Sequence, residues 1–170
     1  CRSDKQLFQV VMEEVVLVNE KDESIGRMEK MEAHEKGLLH RAISVFILNE
    51  KGEMLLQKRA LHKYHSAGLW TNTCCSHPRP GEDTKMAAER RLFEEMGIKT
   101  SLIHKGQFIY KTEFGNGLTE FELDHVFTGI HSVNPELNPE EAADFCWKSV
   151  NDIRIDIKSN PNNYTSWFKI

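Results

Sequence analysis

One amphipathic segment with a hard stop, set midway between strand-like runs, constrains this chain more than any other feature. From Thr84 to Met96 the apolar residues Met86, Ala87, Leu92, Phe93 and Met96 recur at helical spacing opposite charged positions, and Gly97 supplies the stop. Before it, Glu14 to Val18 and Ala42 to Leu48 are β-branched and apolar. The second run continues through Asn49-Glu50-Lys51-Gly52 into Met54-Leu55-Leu56, the pattern of a hairpin. After the helix, Gln107 to Thr112 and Thr119 to Gly129 flank Glu113-Phe114-Gly115-Asn116-Gly117, a second strand pair around a glycine-rich turn. Phe145-Cys146-Trp147 reads as a late strand and Ile153 to Lys158 as a terminal helix. Strands on both sides of a central helix predict a mixed β-sheet flanked by helices, an α/β fold of the α+β sandwich kind.

At 170 residues and 39% hydrophobic, the chain has the size of one domain, 1–170, and no repeat, low-complexity tract or linker divides it. Its 22 basic and 26 acidic residues are interspersed, so no basic stripe tracks a nucleic-acid backbone. No apolar stretch reaches the roughly 20 residues of a membrane helix, and the opening CRSDKQLFQVVMEE has no apolar signal core. A soluble, unexported protein is expected. Cys1, Cys74, Cys75 and Cys146 show no spacing of a disulfide framework, which fits a reducing cytoplasm; Cys1 receives no role.

Ser76, Glu82 and Arg90-Arg91-Leu92-Phe93-Glu94-Glu95-Met96-Gly97-Ile98 keep the spacing of the Nudix box, a loop and helix that hold a divalent cation on a diphosphate. The chain thus resembles the Nudix superfamily, with two departures: Ser76 stands for the first glycine and Arg91 for the glutamate after Arg90. Nudix hydrolases crowd carboxylates on one helix face because oxygen ligands suit hard cations and help activate water. Arg91 reverses one of those charges, so diphosphate binding is expected to persist and water activation to weaken. From charge pattern alone, the same helix is an amphipathic element whose Arg90–Glu94 and Arg91–Glu95 pairs lie on its surface.

Trp70-Thr71-Asn72-Thr73-Cys74-Cys75-Ser76-His77-Pro78 and Thr119-Glu120-Phe121-Glu122-Leu123 resemble the cysteine segment and paired-glutamate strand of type I isopentenyl-diphosphate isomerases. The resemblance runs from Met28-Glu29-Lys30 to Tyr164-Thr165-Ser166-Trp167. It implies conversion of isopentenyl to dimethylallyl diphosphate by adding a proton at one carbon and removing one at another, with a small prenyl diphosphate as partner. Monomer and homodimer are both compatible with it. By resemblance, Cys75 acts on one face of the substrate and Glu122 donates a proton on the other, assisted by Tyr110, while Trp167 stabilises a carbocation. The family's metal set carries over to His34, His40, His77, Glu120 and Glu122, where mixed nitrogen and oxygen ligation suits Mn2+, Zn2+ or iron. His34 is read here as a loop residue, for which a solvated histidine is the alternative. A Mg2+ ion arriving with substrate is expected on Glu95 and a backbone carbonyl of Cys75, with Lys30, Arg59, Lys63 and Arg91 around the diphosphate. In an extended segment Cys75 and His77 point one way and Cys74 the other, which leaves Cys74 to packing. His62, His65, His104, His125 and His131 match no motif and are read as surface positions or as positions behind the site's own ligands. A Nudix hydrolase acting on a nucleoside diphosphate derivative, and an inactive Nudix-like binding module, are the competing readings.

Overall fold

The computed structural model describes residues 13–63 and 65–170; Cys1 and the rest of the opening stretch through Met12 lie outside the described residues. β3 (His40–Leu48) is the axis of a nine-stranded sheet. It runs parallel to β8 (Thr119–Ile130) from His40 opposite Glu122 to Leu48 opposite Ile130, and antiparallel to the short β6 (Cys74–Ser76). β1 (Glu14–Val18) and β4 (Glu53–Arg59) meet its two ends. β2 (Ser24–Glu29) lies outside β1 and β7 (Ile103–Glu113) outside β8, while β5 (Trp70–Thr71) and β9 (Ala142–Ser149) both pair with β4. Both expected strand pairs and the late strand are present. β2, β5, β6 and the helix α1 (Lys30–Lys36) carried no sequence signal strong enough to be foreseen.

The two faces of the sheet follow from strand parity. Ile43, Val45 and Ile47 of β3 join Leu55, Cys74 and Phe127 in a core against Ala88, Leu92 and Met96 of α2 (Thr84–Met96). Leu56, one residue beyond Leu55, points the other way and packs on Ile153 of α3 (Val150–Ser159) and on Tyr164. Helices therefore cover opposite faces, as the α+β sandwich requires. No helix of the described residues is long and apolar enough to cross a membrane.

One expectation for α2 is corrected. Met86 and Phe93, counted toward its inner stripe, are 65% and 48% exposed. They lie seven residues apart on one outward face, where Lys99 Nζ sits 4.5 Å from the Phe93 ring centroid. The inner stripe is instead Ala87, Ala88, Leu92, Glu95 and Met96. Small alanines let the helix approach the sheet, and a glutamate occupies an inner position because Cys74 Sγ donates to it at 2.6 Å.

Candidate active site and metal centre

On the α3 side of the sheet, the register lays out a polar patch beside the apolar one. β8 contributes Glu120, Glu122 and Asp124 two residues apart, and β3 contributes His40 and Ser44 on the same face. Tyr110 of β7 stands directly opposite Glu122, and Cys75 of β6 directly opposite Ser44. α1 adds His34. Glu29 caps its N-terminus by accepting from the Met31 and Glu32 amides, and Gly37 ends it at φ 61°. That helix of about two turns carries His34 to complete burial, so it is a helical, inward residue rather than a solvated loop histidine.

Three imidazoles converge on one carboxylate. His77 Nε2 lies 2.9 Å, His40 Nε2 3.2 Å and His34 Nε2 4.0 Å from Glu122 Oε1. His34 Nδ1 is 2.6 Å from the Lys30 carbonyl and His40 Nδ1 2.8 Å from that of Leu38. A carbonyl can only accept, so each Nδ1 carries hydrogen and each Nε2 faces the carboxylate. Burial and His77 lower the His34 pKa to about 4, which leaves a lone pair on its Nε2 at neutral pH. Lone pairs and carboxylate oxygens facing one another across 3 to 4 Å are what a divalent cation would reconcile; the donor set fits one. The carboxylates respond to this crowding in opposite senses. Burial and the charge of Glu122 push Glu120 well above the usual range, whereas burial of Glu122 is outweighed by His40 and His77, which hold it low. The Tyr110 hydroxyl donates to Glu122 and lies 3.3 Å from Glu120, bridging the pair.

Cys75 Sγ donates to Asn72 Oδ1 at 2.8 Å and lies 3.5 Å from Ser44 Oγ. The Asn72 amide has no freedom to flip, since its nitrogen donates to the carbonyls of Val45 and Cys74 at 3.0 Å each. Ser44 in turn donates to buried Asp124 at 2.6 Å. Burial and Asp124 push the Cys75 thiol up, and burial together with Glu122 pushes Asp124 up to about 8. Cys74 points to the α2 core, as parity requires, but it also holds Glu95.

A cavity of about 530 Å³ opens over this patch. Cys75, His77, Glu120, Glu122, Tyr110 and Trp167 reach it, as do Lys30, Arg59, Lys63, Arg91 and Glu95; His34 and His40 stand behind its wall. Lys30, Lys63 and Arg91 are paired with carboxylates. Glu141 pairs with Lys63 and, at 3.3 Å, with Arg91, and Arg91 also lies 3.7 Å from Glu95. The Arg59 guanidinium sits 5.2 Å from the Trp167 ring centroid. Arg90 makes its pair with Glu94 at 3.2 Å and also clasps Glu82 through two nitrogens, tying the loop ahead of α2 to the helix. The surface-pair reading of this helix and its place in the cavity therefore coexist.

Sequence reasoning missed Ser44, Asn72, Asp124, Glu141 and His65. Asn72 sat inside the quoted cysteine segment, and Asp124 continues the alternation of Glu120 and Glu122, so both were within reach. His65, expected at the surface or behind the metal ligands, is buried, lines the cavity and lies 3.6 Å from Glu120. Of the other unmatched histidines, His62 and His104 are exposed as expected, while His125 is buried against Asp22 at 2.8 Å.

The NUDIX domain model matches residues 38–168. A curated Isopentenyl-diphosphate Delta-isomerase 1 from Aromatoleum aromaticum is 51% identical over 92% of this chain and 89% of its own length. One from Aliivibrio fischeri is 50% identical over 92% of this chain and 91% of its own length. Among solved structures, a Deinococcus radiodurans protein superposes with a TM-score of 0.73 at 19% identity over 87% of this chain and 90% of its own. The MutT protein of Methanosarcina mazei does so at 0.64 and 23% identity over 77% and 88%. At such identities the superpositions speak for the fold alone.

Proposed function

Because this chain belongs to the Nudix family, among its isopentenyl-diphosphate Delta-isomerases, we propose that the cavity converts isopentenyl diphosphate to dimethylallyl diphosphate by proton transfer between the Glu122–Tyr110 side and Cys75. The enzyme is an isomerase that moves a double bond without net loss of atoms. The observation that carries the residue assignment is the placing of a carboxylate bridged to a tyrosine on β8 and of a half-buried thiol on β6, the two strands that flank β3 in one cavity wall.

In the proposed sequence, the Glu122–Tyr110 pair delivers a proton to the terminal alkene carbon: because Glu122 is held low by His40 and His77, the hydrogen is the one that the Tyr110 hydroxyl shares with it. The π electrons form the new C–H bond and leave a tertiary carbocation at the neighbouring carbon. Trp167, buried beside the cavity, offers it an aromatic face and excludes water. Cys75 removes a proton from the next carbon, whose C–H electrons become the new double bond. Burial and Asp124 raise the proton affinity of the sulfur, so the base is its thiolate, formed when the hydrogen it gives to Asn72 in the resting site has left to solvent through the open cavity. Asn72 and Ser44 aim it.

His34, His40, His77, Glu120 and Glu122 are proposed to hold one divalent cation, Mn2+ or Zn2+ by their chemistry. A cation bound there supplies positive charge that lets two buried carboxylates stay side by side. Glu95 and the Cys75 carbonyl are proposed for Mg2+ brought by the diphosphate, whose oxygens would draw Lys63 and Arg91 away from Glu141 and meet Lys30 and Arg59. Hydrolysis is disfavoured: Arg91 stands where hydrolases keep a carboxylate and neutralises Glu94, 2.7 Å away.

The test is incubation with isopentenyl diphosphate and Mg2+ in heavy water, followed by NMR. Dimethylallyl diphosphate carrying deuterium on carbon is expected from the wild type. Cys75→Ala should lose at least about a thousandfold in kcat, within the range assigned to a positioned acid or base, while keeping its metal. Phosphate release without isomer would replace the isomerase with a hydrolase, and a fully active Cys75→Ala would place the proton elsewhere.

A further inference from the structure

The metal donors fall into two adjoining groups. In one, donor atoms of His34, His40, His77 and Glu122 lie within 4.8 Å of one another; in the other, those of His34, His65 and Glu120 do. Glu120 thus keeps company with a histidine that no motif pointed to. We propose that His65 is a fourth histidine of the metal centre, engaging the cation on the Glu120 side through Nε2; this rests on the metal-centre reading given above.

Three independent features aim that nitrogen. His65 lies in the loop between β4 and β5, 7% exposed, and its ring lies flat on Phe114, with centroids 4.5 Å apart and planes at 14°. Trp167 meets the same ring edge-on at 5.6 Å and 90°. An imidazole stacked this way can present its nitrogens only within the ring plane. Nδ1 lies 3.2 Å from Ser66 Oγ, so the opposite edge, with Nε2, is the one turned to Glu120, 3.6 Å away. The backbone is bent to allow it. Ser66 has φ 51°, a left-handed conformation that non-glycine residues seldom take, and Arg59 donates to the His65 carbonyl at 3.4 Å. A strained turn that buries an imidazole against a carboxylate is the construction expected of a site, since packing alone would be served by any planar ring.

The chemistry follows from the donor count. Four imidazoles and two carboxylates make a nitrogen-rich set that favours Zn2+ or Mn2+ over Mg2+, which prefers oxygen. With His34 shared between the two groups, the cation has donors on both the Glu122 and the Glu120 side. Loss of His65 should therefore weaken metal retention without touching His40 or His77.

The experiment measures Zn2+ affinity of chelator-stripped full-length protein by competition with a chromophoric chelator. His65→Phe keeps a flat ring on Phe114 and drops the nitrogens; its affinity for Zn2+ is expected to fall on the order of ten- to a hundredfold, with metal-free melting unchanged. His65→Leu serves if His65→Phe does not fold, with the same expectation. His77→Ala is the reference for the centre itself. Wild-type affinity in His65→Phe or His65→Leu alongside weakened His77→Ala overturns the role of His65 and leaves the centre standing. Wild-type affinity in His77→Ala as well would remove the centre, and this inference with it.

Discussion

At the scale of single residues, Ser44 shows how a side chain without a motif can govern one that has it. Its hydroxyl hydrogen goes to Asp124, so toward Cys75 it offers an oxygen, and the thiol hydrogen is left to Asn72. Removing that hydroxyl leaves Asp124 unsatisfied beneath the sulfur, because its other oxygen already lacks a partner in the described structure. Ser44→Ala is expected to lower kcat about tenfold, the equivalent of roughly 1.4 kcal/mol, with KM and metal content as in the wild type. Steady-state kinetics and elemental analysis check it; an unchanged kcat, or loss of the metal, would show that the hydroxyl only packs. Nothing in the local sequence around Ser44 announces this role. Strand pairing places it opposite Cys75 across 31 residues.

Among the elements, α2 was the most legible and its outer surface the least. Helical spacing and Gly97 were enough to place the helix, because propensity and capping act within a few residues. Which stripe faces inward is decided by what lies across from it, and Glu95 outranks Met86 there because Cys74 receives it. The end of the helix is sealed from outside the element: Glu136 and Asn138 donate their amides to the Met96 and Glu95 carbonyls. A Cβ at Gly97 would stand 2.8 Å from the Glu136 carbonyl and Cβ, at φ 66°, whereas one at Gly52, φ 78°, meets nothing within 4 Å. Gly52→Ala should therefore cost only the left-handed penalty of about 1 to 2 kcal/mol, and Gly97→Ala distinctly more. Denaturant unfolding of both compares them directly, and equal losses would mean that the 136–138 segment yields without cost.

For the whole molecule, histidine burial links stability to pH. His125 of β8 holds Asp22 in the turn between β1 and β2, and Arg41 of β3 grips the same carboxylate at 2.7 Å. Burial lowers the His125 pKa despite Asp22, with His104 and Arg41 adding to the effect. A lowered histidine means that the unfolded chain binds more protons than the folded one just below the ordinary value of 6.5, so stability rises with pH there and is lost as pH falls toward the folded value. Metal-loaded wild type should accordingly lose melting temperature between pH 7 and 5 more steeply than His125→Gln. Parallel slopes would remove His125 from the acid response.

The sequence by itself determined the helix, the two strand pairs, the family and those cavity residues that its motifs carry, among them Lys30, Cys75, His77, Glu122 and Trp167. These are carried by local periodicity, turn chemistry and motif spacing, which need no knowledge of what lies across the sheet. Only the tertiary structure decided that His34 sits on a buried helical turn, that Met86 and Phe93 face outward, and that Ser44, Asn72 and Asp124 surround Cys75. It alone brought His65 to Glu120 across a separation of 55 positions. The physical reason is common to all of them: hydrogen bonding and ligation act over about 3 to 4 Å in space, and strand register, not chain distance, sets which side chains come that close.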